Sequence, residues 1–172
     1  MSKSLDAARK QVNPILIDTK LQAPLLPEGE GLISRTRLVE LVRANFRCKL
    51  VLVSAPAGYG KTTFLAEWKE REQETTPFAW ISLDPNDRDP IRLCAYVIEA
   101  VDRIEPGFGD DLRELLRPPG IDFSNVLLPR LVNALAGLSR RIALVFDDYH
   151  LLKRRSSNNS TGFVLDHLPR TV

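Results

Sequence analysis

The chain has 172 residues, the size of one ordinary domain, and its apolar fraction of 44% is enough for a globular core. Lys and Arg number 24 against 22 Asp and Glu, so the net charge of +2 excludes the strong basic field of a nucleic-acid or anionic-membrane binder. Cys48 and Cys94 form no Cys-x-x-Cys pair, and no apolar run reaches the roughly 18 residues that span a bilayer; a cytoplasmic, reducing setting is expected.

Residues 1–33 carry Pro14, Pro24, Pro27, Gly29 and Gly31 among short apolar islands and read as an extended lead-in. The domain is expected over 34–172. Leu38, Leu41, Val42 and Phe46 recur at helical spacing behind Ser34, a candidate N-cap. Leu50-Val51-Leu52-Val53-Ser54 is a continuous apolar run, as a strand buried on both faces would be. Residues 61–73 pattern as a helix with Phe64, Leu65 and Trp68 inward and Glu67, Lys69, Glu70 and Arg71 outward.

Phe78 to Leu83 is a second buried strand, stopped by Asp84-Pro85-Asn86-Asp87. Asp89 before Pro90 opens a helix that runs to about Ile104: an aspartate cap accepts an orphan amide, and proline at N1 has none to orphan. Prolines and glycines break up 105–121 around a short helical piece near 111–116. Residues 124–138 read as a helix that Pro129 must kink or delay. Ile142 to Phe146 is a third buried strand ending in Asp147-Asp148, and Lys153 to Thr161 is polar and featureless.

The chemistry sits between the first strand and the helix after it. Gly60-Lys61-Thr62 ends a phosphate-loop pattern in which Ala55 replaces the first glycine. Such a loop works by turning backbone amides toward phosphate oxygens, and Gly58 and Gly60 give it the dihedrals to do so. Ala57, Gly58, Tyr59 and Gly60 line the cradle, Lys61 reaches the β and γ phosphates, Thr62 ligates Mg²⁺ and Thr63 touches the α phosphate. ATP with Mg²⁺ is the expected ligand. The Mg²⁺ aspartate is assigned to Asp147, and Asp148 to orienting the attacking water. A plain glycine turn before a helix, and a solvated strand end at 147–148, are the competing structural readings. His150 and His167 read as surface groups, and Asp84 and Asp87 as loop and cap residues.

The stretch 52–63 with Glu67-Trp68, then Ala79 to Asp84, Asn86-Asp87, Asp89-Pro90 and Val145 to His150, resembles the MalT-like, LuxR-family transcriptional regulators of the signal-transduction ATPase (STAND) class. The resemblance implies an α/β P-loop NTPase with a mostly parallel sheet flanked by helices, serving as an ATP-driven switch that self-associates. It also implies that Arg35 lies near the adenine, and that sensor and DNA-binding parts lie outside these residues, so the chain alone is not expected to bind DNA. A non-hydrolysing nucleotide module and a small-molecule P-loop kinase, with Arg154 and Arg155 as its lid, are the alternatives. In the implied strand order, the strand after the aspartate strand inserts between it and the P-loop strand, and residues 169–172 stop where that run should begin. The expectation is therefore a fold truncated before its central strand, with Lys61 and Asp147 roughly 5 Å too far apart unless the edges close up. Marginal stability, association and little ATPase activity follow from it.

Overall fold

The computed structural model describes residues 16–26, 33–45, 48, 50–72, 75–118 and 120–152. Its helices are α1 (Thr36–Ala44), α2 (Lys61–Glu72), α3 (Pro90–Asp102), α4 (Asp110–Leu116) and α5 (Leu128–Ala136). The strands β1 (Phe78–Ser82) and β2 (Ala143–Asp147) pair in parallel, with Phe78 opposite Ala143 and Ser82 opposite Asp147. The α/β class with a parallel sheet flanked by helices is as expected.

β1 is buried on both faces, so its alternating side chains feed two cores. Ala79 and Ile81 join Tyr96, Val97 and Val101 of α3 and Leu131 and Leu135 of α5. Phe78 and Trp80 join Val39 of α1, Phe64 and Trp68 of α2, and Val145 of β2. Trp68 and Phe78 meet edge to face at 5.1 Å between centroids. The second core is what seats α2, and hence the glycine loop at its head, against the sheet.

The start signals at 89–90 work as read: Asp89 accepts from the Ile91 N–H at 3.2 Å and Pro90 occupies the first turn. Pro129 delays the helix it interrupts, which begins at Leu128 after a π turn at Phe123–Leu127 capped by Asp122. Three expectations are corrected. Residues 50–54 form no ladder with either described strand, and Leu50, Val51 and Leu52 are exposed; an apolar pattern supplies a tendency to bury but not a hydrogen-bonding neighbour. In α1 the inward residues are Val39 and, as expected, Val42, while Leu38 and Leu41 face solvent. Ser34 is not the cap of α1, whose N-cap residue is Arg35 without a side-chain bond. The tail from Lys153, with Arg154, Arg155 and His167, lies outside the described residues.

A short 3-10 turn at Asp18–Leu21 is tied to the end of β1 by charge. Lys20 Nζ pairs with Asp84 at 2.8 Å and with Asp87, while Arg92 Nε reaches Asp87 at 3.2 Å. Asp87 is wholly buried and also accepts from the Asp84 N–H at 2.8 Å. Removing one member of such a network strands the opposite charges, so Asp87→Ala is expected to cost about 3–5 kcal/mol in urea unfolding. The hydrogen bond from Lys20 holds the Asp84 carboxyl below the ordinary aspartate value, although burial opposes it. A lowered carboxyl stabilises above the ordinary range of about 4 and loses that contribution as pH falls through its folded value. Lys20 is raised despite burial, because Asp84 and Asp87 accept from it, so its share persists through neutral pH and is lost only as pH rises through its raised value. Melting in acid should therefore bring wild type and an Asp84→Asn variant closer together; a pH-independent gap would refute this account.

Candidate functional site

The loop expected to cradle phosphate runs from Ala55 into α2. Gly58 and Gly60 have φ of +80° and +67°, left-handed values that side-chain-bearing residues rarely adopt. Lys61 opens α2 and turns back over the loop, its Nζ donating to the carbonyls of Ala55 at 2.9 Å and Pro56 at 3.1 Å. Tyr59 is exposed at the tip, Ala57 lies at the rim and Thr63 is half-buried on the first turn of α2.

Thr62, next on the helix, crosses to the sheet: its Oγ1 donates to Asp147 Oδ1 at 3.0 Å. The same Oδ1 accepts the Asp148 N–H at 3.0 Å, which leaves Oδ2 out of both bonds. Asp147 is buried at the end of β2; burial pushes its carboxyl up, the Thr62 hydroxyl opposes that, and the neighbouring Asp148 charge adds to it. Asp148 has φ of 57°, the one described non-glycine residue with positive φ, and its side chain points to solvent 3.8 Å from His150 Nδ1. A residue held there at the end of a strand is strained by its surroundings.

Thr62 and Asp147 thus meet through their side chains. Yet the space itself is present: a cleft of about 750 Å³ separates residues 50–55 from β2, with Lys61, Leu65 and Trp68 as its floor. Leu52 on one wall is 78% exposed, and among the described residues β2 is paired along one edge only, to β1.

Two residues join the site from behind, Glu67, which the sequence did not single out as functional, and Arg35, which the resemblance places near the adenine. Glu67, expected on the outer face of α2, is buried and accepts from Ser34 Oγ at 2.6 Å and from the Arg35 N–H at 2.9 Å. Arg35 sends Nη1 to the Gly60 carbonyl, so it lies on the phosphate loop. The helical pattern of 61–73 carried no sign of this, because Ser34 and Arg35, which donate to Glu67, lie more than thirty residues upstream.

The chain has relatives that match it over most of its length. It is 31% identical over 155 residues to the HTH-type transcriptional regulator MalT of Cronobacter sakazakii, covering 90% of this chain and 17% of that protein. It is also 31% identical over 145 residues to the serine/threonine-protein kinase PknK of Mycobacterium tuberculosis, covering 84% of this chain and 13% of that protein. The chain belongs to the MalT-like N-terminal domains. MalT of Vibrio cholerae is 29% identical over 137 residues, 80% of this MalT-like chain and 15% of that regulator. The MalT-like chain therefore spans less than a fifth of the length of these relatives. No protein-family model matches it. Among the described residues no helix is long and apolar enough to cross a membrane, and no three His, Cys, Asp or Glu side chains cluster as metal ligands.

Proposed function

We propose that this MalT-like chain is the ATP-binding, ATP-hydrolysing switch module of a LuxR-family transcriptional regulator. The observation that carries the reading is the 3.0 Å contact of Thr62 with Asp147, which joins the loop and the acidic strand end into one site. The residues fit Mg-ATP: two left-handed glycines, an ammonium over the loop and a hydroxyl–carboxylate pair of hard oxygens. A Mg²⁺ ion needs only one or two protein ligands when phosphates supply others, so the lack of a three-residue cluster among the described residues is compatible with it. Bound there, Mg²⁺ would neutralise charge on the β and γ phosphates. Thr62 and Asp147 would hold it, Lys61 would leave the Ala55 and Pro56 carbonyls for phosphate oxygens, and Asp148 would orient the attacking water.

Asp148→Asn tests the hydrolytic part. Asparagine tolerates the left-handed backbone that residue 148 adopts, so the site should stay intact. Phosphate release is expected to fall on the order of a hundredfold, the lower end for losing a positioned proton acceptor, with ATP affinity retained. A wild-type chain that binds ATP and releases no phosphate would instead support the non-hydrolysing alternative.

Self-association belongs to the same proposal, since the cleft between 50–55 and β2 presents exposed apolar residues and a strand edge of the kind that pairs with other chains. Size-exclusion chromatography should show a concentration-dependent shift to dimers or larger species; a monomer at all concentrations would count against it. With the net charge of +2, specific DNA recognition is assigned to other parts of such a regulator and not to this chain.

A further inference from the structure

α2 carries its own brace two turns beyond the loop. The buried Glu67 carboxylate accepts from Ser34 Oγ (2.6 Å), from the Arg35 N–H (2.9 and 3.2 Å to its two oxygens) and from Arg71 Nη2 (2.9 Å). Burial raises the cost of its charge, but these donors outweigh burial and hold the carboxyl below the ordinary glutamate value. The backbone fixed in this way belongs to Arg35, whose guanidinium runs forward to the Gly60 carbonyl. That carbonyl also accepts the Phe64 N–H at 3.0 Å, at the first turn of α2. Contact at Gly60 is close enough that a Cβ there would lie 2.6 Å from Arg35 Nη1.

We propose that Glu67 is a positioning residue for the phosphate loop: acting through Arg35, it fixes Gly60 and so aims the loop amides before any ligand arrives. Amides that must be ordered on binding lose affinity to conformational entropy, whereas amides held in advance do not. Arg35 also places a fixed cation at the head of α2, beside Lys61, where the helix dipole already favours anions. The recognised chemistry is an oligophosphate. This inference rests on the nucleotide-binding reading above.

The test uses Glu67→Gln, Arg35→Met and the double variant, with Mg-ATP and inorganic tripolyphosphate as probes and hydrogen exchange of the amides at 57–61 in the ligand-free protein. Glutamine keeps the shape of Glu67 and an oxygen for the Arg35 N–H while removing the charge. Each single change is expected to weaken both probes about tenfold, the usual scale for losing a supporting partner of a ligand-holding group. The double variant should be no weaker than the worse single one, because the two residues act in series. Loop amides should exchange faster in all three variants while those of β1 stay protected. A Glu67→Gln protein with unchanged loop exchange and wild-type affinities, or with effects additive to those of Arg35→Met, overturns the inference. Should Glu67→Gln fail to fold, Arg35→Met carries the test, since unchanged loop exchange there refutes the same chain of contacts. Absence of binding by wild type would defeat the nucleotide reading, while the exchange measurement still decides whether Glu67 braces the loop.

Discussion

Lys61→Ala is expected to raise the Kd for Mg-ATP by about a hundredfold or more while leaving the melting temperature essentially unchanged. In the ligand-free protein the Lys61 ammonium bonds only exposed loop carbonyls, those of Ala55 and Pro56. Losing those exposed bonds costs little, and alanine is the better helix former at the head of α2. With phosphates present, the same ammonium makes charge-assisted bonds worth about 1.5–3 kcal/mol each, and two of them correspond to roughly a hundredfold or more in affinity. The loop amides remain, so weak binding should persist. Titration of a fluorescent ATP analogue against both proteins measures the difference; equal affinities would remove Lys61, and with it the phosphate reading of the loop.

Legibility in the sequence tracked how local each determinant is. The turn at 84–90 was readable because its parts lie within seven residues of one another: Asp84 caps the 3-10 turn, Asp89 caps α3 and Pro90 occupies a position without an amide to lose. The loop and α2 were readable for the same reason, since two glycines, a lysine and a helical pattern follow in order. Glu67 was misplaced because the donors that make its burial tolerable, Ser34 and the Arg35 N–H, arrive from a distant segment. Val39 was overlooked for Leu38 and Leu41 because the helical pattern of α1 does not say which stripe meets Phe64 and Trp68. The composition of the run 50–54 predicts a strand, but a strand is defined by its neighbour, and neither β1 nor β2 pairs with it. The gap expected between residues 50–55 and β2 is there as a cleft, while Thr62 meets Asp147 through side chains, which backbone reasoning does not count.

Asp147→Asn should abolish the Mg²⁺ dependence of nucleotide binding without loosening the apo fold. The substitution is close to isosteric, and the atom that does the structural work is retained: Oδ1 accepts from both Thr62 Oγ1 and the Asp148 N–H, and an asparagine oxygen can keep both bonds. What is lost is the charge, together with the carboxylate oxygen that takes part in neither bond. Burial disfavours that charge in the apo protein, so its removal should leave stability equal or slightly higher. With nucleotide the balance reverses, because a hard divalent cation takes a carboxylate in preference to a neutral amide. Wild type is expected to bind ATP more tightly when Mg²⁺ is added, whereas the variant should bind equally in Mg²⁺ and in EDTA, at about the metal-free affinity of wild type. Calorimetric titration in both buffers, paired with thermal melts of the apo proteins, separates the outcomes. An undiminished Mg²⁺ response would take the metal role from Asp147, and a marked loss of apo stability would show that its charge serves the fold.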